Sequence, residues 1–309
     1  MTLAFMVTYP DPRGDRRRFL ALTGLTVPEF DYLPAAFARS YERRYPAGRT
    51  AAGRPRQRRA GGGRTAVLHG PARKLLFLLV YPKTYPLQVV MAELFGLSPP
   101  QANHWLGRLL PALRDALDDP GARPQRDGGA FAGAGPGARL IIGGTERRRQ
   151  RPKNPEKQAA HYSGRKKVHC DRNVVAAEAG SRRVGFLSRA HPGRSSDKGI
   201  ADREAIASPP GAVLHQGGGF RGYAPAGVKT RRAKKEPAGG ELTAAAKGAN
   251  RKLRRIRVRV GHALAGVKRC RIVKDALRNT ADGASDSVME VACGLHNVRV
   301  RKRQRRPGT

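Results

Sequence analysis

Negative charge is scarce in this chain. Its 309 residues hold 23 Asp and Glu against 61 Lys and Arg, a formal net charge of +38. An excess of that size excludes an ordinary enzyme acting on a neutral metabolite, because the folded state would repel itself unless a polyanion screened it. Nucleic acid is the natural polyanion, since contacts to phosphates release counterions. Cysteine is nearly absent as well: Cys170, Cys270 and Cys293 are far apart and odd in number. That excludes a disulfide framework and a four-cysteine zinc site. It points to a reducing, cytoplasmic setting, with each thiol a small buried apolar group. Long apolar runs are missing. The most apolar stretch, Leu75 to Tyr81, is cut off by Pro82 and falls far short of the ~20 residues a membrane helix needs, so no membrane partner is expected. The opening MTLAFMVTYP has no basic segment ahead of a long apolar one, so no secretory signal is expected. Aromatic residues make up only 6%, which counts against the stacking platform of a single-stranded RNA binder.

What is present divides along the chain. Residues 1–45 form an N-terminal helical segment, with a helical signal over 18–44 in which Thr26 can cap and Phe30, Leu33, Phe37 and Tyr41 recur at helical spacing. Residues 46–71 read as a basic Gly/Arg-rich linker or arm, and 120–139 as a Gly/Pro-rich linker. Between them, 72–119 is helical. From Leu140 onward the pattern changes. Leu140-Ile141-Ile142, Lys166 to Glu178, Arg183 to Ser188, Ala212 to Leu214 and Val228 to Ala233 read as strands, Asp197 to Ile206 as a short helix, and 241–269 as a long helix. A basic tail follows at 300–309. The fold class expected is an all-α N-terminal region plus a C-terminal α/β domain.

Within 72–119, LQVVMAELFGLSPPQANHWLGR (87–108) predicts a helix-turn-helix. Gly96 suits a left-handed turn, Ser98 an N-cap, Pro99 a first helical position, and Ala92 a close helix crossing. The second helix would bury Trp105, Leu106 and Leu109 and expose Gln101, Asn103, His104 and Arg108. Gln, Asn and Arg are side chains able to pair with base edges in a major groove. A plain αα-hairpin fits the same pattern; the surrounding positive charge favours DNA.

The second half is similar to a known family. LIIGGTERRRQRPKNPEKQAAHYSGRKKVH (140–169), FLSRAHPGRSSDKGIAD, VLHQGGGFRGYAPAGV, NRKLRRIRVRVGHALAGVKRCRIV and CGLHNVR occur in order over 140–299. They resemble the endonuclease domain of DDE-superfamily transposases of the insertion-sequence and Harbinger-like kinds. The resemblance implies a ribonuclease-H-like fold, a preceding helix-turn-helix, and phosphodiester hydrolysis and strand transfer by two magnesium ions. It also implies double-stranded DNA as partner, with terminal inverted repeats as the target. A homodimer is compatible with it, as is a nucleoid-associated location.

Magnesium needs oxygen ligands, and here the sequence departs from the family. The two aspartates and the glutamate of the family fall on Gly143, Gly217 and Gly261. Gly261 is odd even without the family, since glycine inside a helical stripe costs about 1 kcal/mol relative to alanine. Each change needs only one middle-base transition in an Asp or Glu codon; Gly248 is a candidate fourth case. Glu146 falls on the opposite strand face from Gly143 by alternation. Asp197 is expected to cap a helix, with metal binding as a weak substitute role. The basic residues remain: Arg147, Arg149 and Lys268 are expected to contact DNA backbone, with further runs at 251–259 and 299–306. The expectation is a transposase-family DNA-binding protein that does not cleave. The alternatives are a metal-dependent nuclease using displaced carboxylates such as Asp197, and a non-enzymatic repressor.

Overall fold

The computed structural model describes residues 14–50, 53–57, 67–127, 134–237 and 239–304. Much of the expected basic arm, part of the 120–139 linker and the end of the basic tail lie outside these residues.

The N-terminal third is helical. Asp15 accepts from the Arg18 N–H and opens α1 (Arg16–Thr23), which Gly24 ends at φ 75°. The Thr26 N–H donates to the Glu29 carboxylate at 2.8 Å and starts α2 (Val27–Phe30); α3 (Pro34–Arg44) follows. The periodicity over 18–44 is therefore split into three short helices. The left-handed Gly24 and Pro34, which has no N–H to continue a ladder, impose the breaks. α4 (Gly70–Thr84) buries Leu75 through Val80 without a gap, so every side of it is packed. α5 (Gln88–Phe95) ends at Gly96, φ 63°, and α6 (Pro99–Ala116) starts from Ser98, whose N–H donates to Gln101 while its hydroxyl accepts from the Gln101 N–H.

The rest is a mixed sheet with helices. Its elements are β1 (Arg139–Arg148), α7 (Pro155–His161), β2 (Tyr162–Ser163), β3 (Val168–Glu178), β4 (Val184–Leu187), β5 (His191–Pro192), α8 (Asp197–Arg203), β6 (Val213–His215), β7 (Lys229–Arg231), α9 (Ala244–Val267), α10 (Arg271–Lys274) and α11 (Ala284–Gln304). The order is β2-β3-β1-β6-β7, with β4 and β5 also on β3. β1 and β3 are antiparallel, with Gly143 opposite Val175; β1, β6 and β7 are parallel. Alternation divides the sheet. Leu140, Ile142, Val174 and Ala176 pack with Ile200 and Ala201 of α8. Val175 and Ala177 face the other way, into a core shared with Ala263 and Val267 of α9, with α11 and with the N-terminal helices. All three cysteines are free and buried.

α11 holds this arrangement together. Every residue from Val288 to Val300 is buried, including Glu290, His296, Asn297 and Arg299. Asn297 accepts from the Val184 N–H at 2.8 Å and donates to the carbonyls of Ala122 and Val184, both at 2.7 Å. Arg299 donates to the carbonyls of Gly24 (3.1 Å) and Gly266 (2.6 Å), closing the ends of α1 and α9. His296 donates from Nε2 to the Arg182 carbonyl at 2.9 Å. Its Nδ1 occupies the space a side chain at Gly266 would need, and Leu117 likewise fills the space beside Gly294.

The polar groups of α11 carry measurable consequences. Asn297→Leu strands three backbone groups and lowers stability by about 3 kcal/mol; an unchanged urea midpoint contradicts the role given to it. Burial, opposed only by the bond to Arg182, drives the His296 pKa from 6.5 down to about 4. The ring is neutral in the folded protein, while the unfolded chain takes up a proton below its ordinary value. Stability therefore falls as pH drops from 6.5 towards 4 and levels off below that, by roughly 3 kcal/mol in all. His296→Gln flattens that part of the stability-against-pH curve.

Candidate active site

β1 and β6 run side by side and in the same direction, with Ile141 opposite His215. Gly143 and Gly217 each stand two residues beyond that pair, so the parallel register brings them level on one face. α9 crosses this face. A Cβ on Gly143 would lie 3.2 Å from both Val260 γ-methyls, and one on Gly217 would lie 3.3 Å from Nη2 of Arg257. Gly261 follows Val260 in α9, one turn beyond Arg257, with open space around it. The three glycines, distant in sequence, thus gather around one short stretch of α9.

The chemistry of that place is neutral to positive. Thr145 Oγ1 and both ring nitrogens of His215 are buried without a hydrogen-bond partner among the described residues, while Gln216 turns to the other face, where its amide donates to the Tyr223 carbonyl at 3.0 Å. Burial, with Arg139 and Arg231 nearby, keeps the His215 pKa below its usual value, so the ring is uncharged near neutrality. Lys268 donates from Nζ to the Glu146 carbonyl at 3.4 Å; burial and then the Arg147 charge lower its pKa. A hydroxyl and an imidazole, with the Arg257 guanidinium beside Gly217, do not fit magnesium, which calls for carboxylate oxygens. Among the described residues no three His, Cys, Asp or Glu side chains form a metal-holding group.

The nearest acids lie across the sheet. The Asp197 carboxylate fills the space beside Gly144 and Gly219, so neither glycine has room for a side chain. Arg172 bonds the Glu146 carboxylate and stands 3.5 Å from Asp197 Oδ1. Burial raises the Asp197 pKa against the pull of Arg172. The α8 cap is Ser196, whose hydroxyl accepts from the Gly199 N–H, and Asp197 sits in the first turn; the expected cap is displaced by one residue because Asp197 is held against Gly144. Gly143 and Gly144 point to opposite faces, so the thickness of β1 separates Asp197 from the glycine cluster.

The expected DNA-contacting residues are unequally placed. Arg147 is buried, bound to Asn173 Oδ1 and to the Ser285 carbonyl. Arg149 bonds Asp171 at 2.8 Å and is half-buried. These two brace the sheet. The solvent side of α9 carries Arg251, Lys252, Arg254, Arg255 and Arg259, all exposed. On α6, Gln101, Asn103 and His104 are exposed. Gln101 is engaged by Ser98, and Asn103 Oδ1 accepts from Gln88 at 2.9 Å, tying α5 to α6. Arg108 turns inward and stacks 4.1 Å from the Tyr45 ring centre. Sequence reasoning missed this stacking, although Tyr41 and Tyr45 stand four apart, the helical spacing that puts two rings on one side.

No helix among the described residues is long and apolar enough to cross a membrane. Neither curated proteins nor solved structures include a match to the chain. Residues 142–297, half of the chain, match the DDE superfamily endonucleases, spanning the strands, the glycine cluster and α11. With half of its length matched, the chain belongs to the DDE superfamily endonuclease family.

Proposed function

We propose that this chain is a transposase-family protein that binds double-stranded DNA at element ends and does not cleave it. The observation that carries the reading is the gathering of Gly143, Gly217 and Gly261 around residues 257–261 of α9. These are the positions where family members carry carboxylates. A divalent ion would polarise the scissile phosphate there, and among the described residues no three His, Cys, Asp or Glu side chains gather to hold one. The strand order, antiparallel up to β1 and parallel after it, with α9 across β1, supports a ribonuclease-H-like domain.

The remaining residues suit binding. The basic face of α9 supplies phosphate contacts without base reading. The left-handed Gly96 between α5 and α6, with His104 and Asn103 facing solvent, supports a helix-turn-helix reading. Asp197 is a poor substitute ligand, since it is held beside Arg172 on the far side of β1.

With magnesium or manganese, supercoiled plasmid is expected to stay intact in the presence of this protein. Gly143→Asp, Gly217→Asp and Gly261→Glu combined are expected to restore metal-dependent nicking, with any pair of them inactive. Arg257 is flexible and can pair with a carboxylate introduced at position 217, and Val260 must yield a few tenths of an ångström at position 143. Robust nicking by the chain as it stands would overturn the reading, and so would a folded triple variant that fails to nick. Separately, Gly261→Ala is expected to raise unfolding free energy by about 1 kcal/mol, because the site is open and mid-helix; chemical denaturation reads this directly.

A further inference from the structure

A groove of about 800 Å³ opens between α3, α4 and α6. Its size falls within the ~300–1,000 Å³ of ordinary ligand sites. Three aromatic rings and two cations alternate along its wall. Tyr41 and Tyr45 stand 5.2 Å apart. The Lys74 ammonium lies 4.8 Å from the Tyr41 ring centre and 5.5 Å from that of Trp105. Arg108 lies 4.1 Å from Tyr45 and 5.8 Å from Tyr41.

The groove's basic residues differ in how they are engaged: Arg49 and Arg56 donate to backbone carbonyls. Arg44 pairs with Asp115 and Arg39 with Asp119. Among the described residues neither Lys74 nor Arg108 has a carboxylate within ion-pair distance, and Arg108 Nε is buried with no hydrogen bond. Glu42 also lines the groove, but its Oε1 accepts from the Ala47 N–H at 2.7 Å. Burial, and then the Arg108 charge, lower the Lys74 pKa against the pull of Glu42.

Two unneutralised cations alone would suit any anion. The rings narrow the choice, because every nucleobase has a π-face that stacks on an aromatic side chain, and the backbone phosphate supplies the charge. In a duplex those faces are already stacked on one another, so only an unpaired segment can offer them. His104, exposed on α6, also lines the groove, which makes it continuous with the face proposed to meet DNA.

We propose that this groove is a binding site for unpaired DNA, its bases stacking on Tyr45 and Trp105 while Lys74 and Arg108 turn from the rings to the phosphates. The inference rests on the DNA-binding part of the proposed function and is independent of the glycines.

Trp105 is the sole tryptophan in the chain, so all tryptophan emission comes from the groove wall. The full chain is titrated with oligothymidylate of about eight nucleotides, within the range of single-strand site sizes. Parallel titrations use inorganic phosphate, oligouridylate of equal length and a blunt duplex; duplex binding is followed separately by anisotropy of a labelled duplex. Oligothymidylate is expected to change the emission saturably, with phosphate and the blunt duplex doing so far more weakly. Tyr45→Leu and Lys74→Gln, both at half-buried positions, are expected to weaken that binding about tenfold each and to leave duplex anisotropy unchanged. An absent emission change overturns the proposal, as does an equal response to phosphate, tighter binding of oligouridylate, or variants that bind as the parent does. Normal duplex anisotropy with a silent Trp105 sinks the groove alone, whereas absent duplex binding with a responding Trp105 sinks the duplex reading and leaves the groove.

Discussion

The buried stretch of α11 has no solvent side, so Asn297, Arg299 and His296 bond to the backbone of its neighbours while Glu290 faces the Arg123 and Arg126 side chains. Asn297 joins the segment after α6 to β4. Arg299 joins the end of α1 to the end of α9. Buried groups of this kind stabilise only when every partner is in place, so α11 couples the correct seating of four separate elements. The two close contacts at Gly266 and Gly294 belong to the same constraint. His296 and Leu117 occupy volume that any larger residue there would claim, and this lets α9 and α6 approach the central rod.

None of that support runs through the glycine cluster. Gly143 and Gly217 lie on a face where α9 packs by Val260 and Arg257, and Gly261 touches nothing. Carboxylates placed together at that point would repel one another in the absence of a counter-ion, so a family member bears an energetic cost at its site for the sake of chemistry. Under the proposed function, glycine at these three positions leaves the scaffold intact and removes that repulsion. On that proposal the fold keeps its shape without the chemistry, and a DNA-binding role can outlast catalysis.

Much of the architecture is legible from residues. Leu140-Ile141-Ile142 marks the first central strand, Gly96 and Ser98 mark the α5–α6 turn, and the 241–269 stripe marks α9. α11 is not legible as a helix. Packed on all sides, it shows no amphipathic period, and Glu290, Asn297 and Arg299 read as surface residues until their partners, arginine side chains for Glu290 and backbone for the other two, are known. The split of 18–44 into α1, α2 and α3 is written in Gly24 and Pro34 but masked by the apolar spacing around them. Arg147 reads as a DNA contact because it sits in a basic run; strand alternation turns it inward onto Asn173 instead. The three glycines are singled out by resemblance, and their convergence needs the β1–β6 register. The aromatic groove is invisible in the sequence, because a low overall aromatic content says nothing about whether Tyr41, Tyr45 and Trp105 meet.

The shared core beneath the helical region and the sheet has a mechanical consequence. Apolar side chains from α1 through α6 interlock with Val175, Ala177 and α11 in one cluster, and Arg278 clasps the end of α4 through the carbonyls of Tyr85 and Pro86. A close-packed junction of that kind has no pivot. The spacing between α6 and the solvent side of α9 is fixed like the gap of a caliper, so under the proposed function a duplex reaching both would have to fit its own shape to that gap, at an elastic cost that depends on its base sequence.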